Sequence, residues 1–294
     1  MRRTIEITAS FSGKIPTGQY ENESPFFALK EILEPLESEF LTVTDEEIKI
    51  RQQQLHQLCY EQFKRQAEVS YNERIAKTYK DIRWYDGANG LKYPSVTSIL
   101  DMDKEFGIPP DELAQYGARG TIIHKQAEIF LSTSEWKEPK DITKVSADFI
   151  TLKRGSLKLE TEDVDFRAFF KDYPFKVIEL EKHVVNHSYK YGGRLDVLCI
   201  IESTNKGKWD KIEGVKFDVP TILDIKTSTS MDKTRGLTQQ AAYAKVDGIE
   251  QIGLIPLTKE NLCGFAKPAI TTNIDRYWNL FLKARNEFEK RYGI

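Results

Sequence analysis

The sequence predicts a mixed α/β protein: a core in the order helix, three strands, helix, strand, behind an N-terminal helical extension. Three observations carry this. From about residue 120 a helical pattern gives way to short apolar runs separated by turns, then returns to helix and strand. Residues 44–86 contain neither proline nor glycine and repeat apolar groups at helical spacing. Composition shifts near residue 80, which separates an extension over 1–80 from a domain over 81–294.

Residues 1–43 carry the weakest signal. Thr4 to Phe11 reads as a strand, and Pro25 to Phe40 as a short amphipathic helix interrupted at Pro35. Thr44-Asp45-Glu46-Glu47 matches a capping box, and Ile48, Leu55, Leu58, Cys59 and Phe63 continue it as a long helix to about residue 79. Such a helix suits a packing or partner-binding arm, including self-association. Trp84 and Tyr85, the Gly87 and Gly90 turns and Tyr93 read as a hairpin. Pro94 suits a first helical turn.

A helix from about residue 111 is expected to stop at Gly117-Ala118-Arg119-Gly120, with a second running from Thr121 to about Leu131. Phe166 to Tyr173 reads as helix, then Phe175 to Val185 and Gly193 to Ile201 as strands around a turn. Ser203 to Asp218 is polar and reads as a hairpin excursion. Thr221 to Thr227 is a short buried strand, Gly236 to Val246 a helix, Gln251 to Pro256 a strand, and Ile274 to Tyr292 an amphipathic helix.

Composition bounds the function classes. The 294 residues hold 43 Lys+Arg and 45 Asp+Glu, with 40% hydrophobic and 11% aromatic residues. That is globular and excludes a wholly disordered chain. No apolar run approaches the roughly 20 residues of a membrane span, and Met1 to Ser10 reads as neither a signal nor a transit peptide. Three scattered cysteines, Cys59, Cys199 and Cys263, fit a reducing compartment and no disulfide framework. A net charge of −2 hides an uneven distribution, because residues 21–47 carry nine acidic residues and only Lys30 against them.

Chemistry gathers on two strands. In Thr221-Ile222-Leu223-Asp224-Ile225-Lys226, Asp224 and Lys226 differ by two and share a face of an otherwise apolar strand. Buried charges of this kind need a partner, a metal or bound water; an internal salt bridge is the plainer alternative. Acid-x-Lys occurs four times in the chain, and only this copy lies in a buried strand. Asp196 follows Gly192-Gly193 in another apolar run, where it is either capped or Arg-paired, or shares a divalent cation with Asp224. His124 and Glu128 lie one turn apart on a helix, able to meet a ligand or merely to pack. Arg119, at the expected break, would sit beside free backbone N–H groups that favour phosphate. Gln239 and Tyr243 lie one turn apart on the helix after the Lys226 strand, suited to a nucleobase or phosphate, or to simple packing. His183 and His187 fall in a strand and turn that would not align them.

The ordered set His124, Gly193-x-x-Asp196, Asp224-Ile225-Lys226 and Gln239-x-x-x-Tyr243 resembles the PD-(D/E)XK nuclease superfamily, and within it the RecB-like exonuclease branch. Tyr93-Pro94-Ser95-Val96-Thr97-Ser98-Ile99-Leu100, followed by Arg119-Gly120-Thr121 and His124, is similar to the mitochondrial genome maintenance exonuclease and related phage proteins. The resemblance covers residues 82–257; residues 1–80 match nothing in it. It implies a restriction-endonuclease-like core over 81–294. By resemblance, Asp196, Asp224, the Ile225 carbonyl and His124 would bind Mg²⁺ or Mn²⁺, imidazole favouring manganese, and Lys226 would orient the attacking water. Glu128, Gln239 and Tyr243 would support the site or position a strand, and Arg119 and Ser95 would contact phosphate. Some relatives hold an iron–sulfur cluster on four cysteines; three scattered cysteines predict none here.

The implied activity is metal-dependent hydrolysis of single-stranded DNA or duplex ends in repair, recombination or replication, in the cytoplasm of a bacterial or phage-infected cell and away from membranes. A non-catalytic DNA-binding module and a structure-specific endonuclease remain the alternatives.

Overall fold

The structure, a computed structural model, describes residues 5–12, 15–16, 22–23, 26–33, 45–104, 109–137, 166–228, 231–258 and 264–294. Thr44, Cys263 and residues 34–40 of the expected early helix lie outside the described residues. The chain divides into two compact units, Met1–Tyr93 and Pro94–Ile294.

In the first unit, β1 (Ile5–Ser12) pairs antiparallel with β4 (Phe26–Leu33), and the short strands β2 (Ile15–Pro16) and β3 (Asn22–Glu23) pair between them. The strand at Phe26–Leu33 corrects the helix expected over 25–40. Its eight residues pair with β1 along their whole length, and that pairing outweighs a weak helical pattern. Helix α1 (Asp45–Thr78) lies against β1 and β4. Strands β5 (Trp84–Asp86) and β6 (Lys92–Pro94) form the expected hairpin. Its turn needs positive φ at Asn89 (60°) and Gly90 (83°). The buried Asn72 of α1 ties down β6, its Nδ2 donating to Lys92 O at 2.9 Å while its Oδ1 accepts from Lys92 N at 2.5 Å.

The second unit is built on a five-stranded sheet of β7 (Lys176–Asn186), β8 (Tyr191–Ile200), β9 (Pro220–Lys226), β10 (Gln251–Pro256) and β11 (Ala269–Thr271), in the order β11-β10-β9-β8-β7. Only β9 and β10 are parallel; the other neighbours are antiparallel. The order of elements is α2 (Val96–Leu100), α3 (Pro110–Thr133), α4 (Phe166–Asp172), β7, β8, β9, α5 (Lys233–Asp247), β10, β11 and α6 (Ile274–Tyr292).

Alternation sorts the sheet's side chains. Val197, Cys199, Leu223, Ile225 and Ile255 pack with Ile123 and Ala127 of α3 and with Phe166 and Phe169 of α4. On β9 and β10 the opposite face meets α5, where Asp224 is bonded by Gln240 and Leu254 lies against Gly236. Helix α5 is capped by Asp232, whose Oδ1 accepts from Arg235 N at 2.9 Å, and ends at Gly248 with φ 65°. On α6 the buried residues Ile274, Trp278, Phe281, Arg285 and Phe288 form one stripe.

Three further expectations change. Pro94 ends β6, and Ser95 is the cap of α2, its Oγ accepting from Ser98 N at 2.9 Å. Residues 110–133 form one helix rather than two, so Gly117 and Gly120 are interior to α3 and their backbone N–H groups are not a phosphate site. A Cβ at Gly120 would come within 3.2 Å of Thr227 Oγ1, which explains glycine there despite its helical cost of about 1 kcal/mol. Residues 203–218 form no hairpin. They hold a single helical turn, Trp209–Lys211, that inserts Trp209 into the core. Trp209 is 0% exposed, donates from Nε1 to Pro174 O at 2.7 Å, and lies 5.0 Å from the Tyr173 ring.

Candidate active site

Strands β8 and β9 separate where the charged residues begin. Their ladder runs from Ile200↔Pro220 to Val197↔Leu223, and continued by one pair it would set Asp196 opposite Asp224. Instead the Asp196 side chain takes the place of a ladder acceptor: its Oδ2 receives Ile225 N–H at 2.8 Å. His124 Nδ1, from α3, lies 3.2 Å from the same oxygen. Asp196 thus binds together a strand end and a helix.

Asp224 faces α5. Its Oδ1 accepts from Gln240 Nε2 at 2.8 Å, and its Oδ2 lies 2.6 Å from Lys226 Nζ. The ammonium is the partner of Oδ2, whereas Gln240 Oε1 is a buried acceptor without a hydrogen bond. Lys226 Nζ also donates to Gln239 Oε1 at 3.2 Å, and Gln239 Nε2 donates to Tyr243 Oη at 3.3 Å. The Tyr243 ring lies flat enough on β8 that a Cβ at Gly193 would meet it at 2.3 Å, so glycine is required there. Tyr243, Gln239, Lys226 and Asp224 therefore form one continuous polar chain.

Glu181 of β7 completes the cluster. His124, Glu181 and Asp196 each offer a donor atom within 4.8 Å of the others. Glu181 has φ 50°, a left-handed conformation that a non-glycine strand residue rarely takes. Arg194 Nε holds its carboxylate at 2.7 Å. Sequence reasoning missed Glu181, whose place is set by register: Asn186 pairs with Tyr191 across the turn, and that register carried back along the hairpin sets 181 opposite 196. Gln240 was passed over beside Gln239, and only helix orientation distinguishes the two.

The charges are strongly coupled. Burial pushes the His124 imidazole down, but the Asp196 charge and hydrogen bond, with the Asp224 charge, outweigh it and lift His124 to about 9. Burial works to raise Asp196, yet the His124 charge and hydrogen bond, the Ile225 N–H and the Lys226 charge bring it below the ordinary carboxylate value. Burial, reinforced by the Asp196 charge, holds Asp224 up at about 6 despite Lys226. Burial first, then the Asp196 and Glu128 charges, also raises Glu181.

The remaining expected residues are engaged nearby. Glu128 is paired with Lys125 Nζ at 2.7 Å. Arg119 donates to Thr227 O at 2.9 Å, just beyond β9. The Ser95 hydroxyl caps α2 and donates to Ser98 Oγ at 2.9 Å, while its backbone bridges Gly192 at the start of β8. The structure engages Ile225 through its N–H. His183 and His187 are exposed. Cys59 and Cys199 are buried, and burial pushes the Cys199 thiol up.

The donor set fits a divalent cation. The His124 imidazole nitrogen and the Glu181 and Asp196 carboxylate oxygens converge. These donors suit several divalent metals and do not by themselves select magnesium or manganese. No helix among the described residues is long and apolar enough to cross a membrane.

Comparison with protein-family models and with curated proteins gives no match. Among solved structures, one titled "Crystal structure of SSO0001" is similar at 11% identity, over 64% of this chain and 83% of that one, with a TM-score of 0.25. That similarity is too low to carry an argument about fold or function.

Proposed function

We propose that the chain is a divalent-metal-dependent deoxyribonuclease of the PD-(D/E)XK type, an exonuclease acting on single-stranded DNA or duplex ends. Its second unit would be a restriction-endonuclease-like core. The observation that carries this reading is the lysine–carboxylate pair at the end of β9: Lys226 Nζ stands 2.6 Å from the buried Asp224 Oδ2, beside the Asp196–His124 pair. Asp196, Asp224 and His124, with Glu181, would hold Mg²⁺ or Mn²⁺. The bound cation supplies charge neutralisation at a scissile phosphate and a more acidic water.

The chain's own residues do the rest. Lys226 stabilises charge developing on the phosphate and orients the nucleophilic water. Gln239 fixes the ammonium through its Oε1, and Tyr243 fixes Gln239. Asp196 pins the end of β9 through Ile225 N–H, so the lysine, one residue further on, is positioned by backbone as well as by side chain.

The test is incubation of purified protein with 5′- and 3′-labelled single- and double-stranded DNA in Mg²⁺ or Mn²⁺. Shortening of free ends is expected, with Lys226→Ala reducing the rate at least about 1,000-fold while metal binding and fold persist. Binding without products on any substrate would replace the reading with a non-catalytic DNA-binding module. Cleavage of circular or branched DNA would replace it with an endonuclease. Full activity in Lys226→Ala removes Lys226 from the mechanism.

A further inference from the structure

Helix α1 carries six acidic residues, Asp45, Glu46, Glu47, Glu61, Glu68 and Glu73, and six basic ones, so its net charge discloses nothing. Their distribution around the axis does. At 100° per residue, Lys49, Tyr60, Lys64, Tyr71 and Arg74 fall within about 40° of one line. Glu46 lies at the stripe's N-terminal end, about 40° from the line, and from Lys49 to Thr78 the line holds no carboxylate. Glu61, Glu68 and Glu73 lie about 100°, 80° and 140° away from it.

The two tyrosines are 38% and 37% exposed. Lys64 Nζ lies 5.3 Å from the Tyr60 ring centre, and Arg74 Cζ lies 5.0 Å from that of Tyr71. The same aromatic–cation pair thus repeats along one face, with Lys49 leading it. From Lys49 to Arg74 the stripe runs for roughly 38 Å at 1.5 Å per residue.

We propose that this stripe of α1 is a binding surface for single-stranded DNA, gripping phosphates with Lys49, Lys64 and Arg74 and stacking bases on Tyr60 and Tyr71. The inference rests on the nuclease reading, which makes DNA the chain's partner. The charge is complementary to a phosphodiester backbone and unsuited to a basic protein surface. The exposed rings select a single strand, because bases in a duplex are already stacked.

The test is binding of the full chain to a fluorescent 30-nucleotide oligothymidine, and to a duplex of equal length, in EDTA so that nothing is cleaved. The variant Lys49→Gln/Lys64→Gln/Arg74→Gln should bind the single strand at least about tenfold more weakly at 0.1 M salt, and its log–log salt slope should shrink by about 2. Tyr60→Leu/Tyr71→Leu should weaken single-strand binding while leaving duplex binding unchanged. Circular dichroism checks that both variants keep the helix. Parental affinity in the charge variant overturns the proposal. So does an equal loss in Arg51→Gln/Arg65→Gln/Lys77→Gln, which removes three charges from other faces. A parent that cleaves DNA without using the stripe defeats this inference alone. A parent that binds through the stripe yet cleaves nothing with any metal defeats the nuclease reading alone.

Discussion

Glu181 is held in a left-handed backbone conformation directly across the hairpin from Asp196, and two effects are superimposed there. The conformation costs an L-residue about 1–2 kcal/mol, and the carboxylate adds a donor to the His124–Asp196 pair. Two substitutions separate them. Glu181→Ala and Glu181→Gly should lose divalent-metal affinity equally, by at least about tenfold, in isothermal titration. The glycine variant should be the more stable by about 1 kcal/mol in urea denaturation, because only it tolerates φ 50° without strain. Equal stabilities would show that the strand relaxes around position 181 and that no strain is stored there.

At the scale of an element, the segment between β8 and β9 turns from an apparent surface excursion into part of the core. Asp218 closes its base, N–H bonding Ile201 O at 2.9 Å and Oδ1 accepting from Ser203 N at 3.0 Å. Trp209 is then carried beneath α4 among Phe169 and Tyr173. Replacing it with alanine leaves a large cavity and should cost about 3–5 kcal/mol, read as a lowered urea midpoint. A loss under 1 kcal/mol would mean the segment is only laid against the core. The sequence offered little warning: the segment is rich in Lys, Asp and Gly, and a lone tryptophan in a polar run carries no periodicity.

Long periodic elements were legible for the opposite reason. Helix α6 repeats its apolar residues at helical spacing and strand β9 is a short apolar run, and each buries the residues that pattern marks. Asp196, Asp224, Lys226 and His124 were legible as candidates because a charge in an apolar run is an anomaly that one strand or helix displays. Glu181 and Gln240 were not, since their meaning lies in which residue stands opposite, and that is a property of register and helix rotation. The break expected over Gly117 to Gly120 failed for a related reason at its second glycine: a Cβ at Gly120 would crowd Thr227 Oγ1, a tertiary contact that no local pattern displays.

Across the whole molecule, the clustered charges tie stability to pH and metal. His124, at about 9, sits above its ordinary 6.5, so its cation contributes stability that is fully present below about pH 6.5 and lost as the pH rises through about 9. Asp224, at about 6, sits above its ordinary 3.8, so the folded state loses further stability as the pH rises from about 4 through 6. Asp196 is lowered and acts the other way, its contribution fading as the pH falls below 3.8. In chelator the melting temperature should therefore fall between about pH 6.5 and 9. Added Mg²⁺ or Mn²⁺ should raise it more at pH 9 than at pH 6.5, because fewer protons must leave the site. His124→Gln should flatten that slope; an unchanged slope would show that the imidazole is not the group responsible.

The one parallel pair in the sheet has a kinetic meaning. Because β9 and β10 are parallel, they must be joined by the crossover helix α5, and that single stretch of chain carries Asp224, Lys226, Gln239, Gln240 and Tyr243. These residues meet when one βαβ unit closes, and Asp196 meets Glu181 when the β7–β8 hairpin forms, whereas His124 must be brought in from α3, far earlier in the chain. During folding the Glu181–Asp196 hairpin and the lysine–carboxylate unit are each built within a contiguous stretch of chain, so the step that completes the cation-holding cluster is the docking of α3, which carries His124.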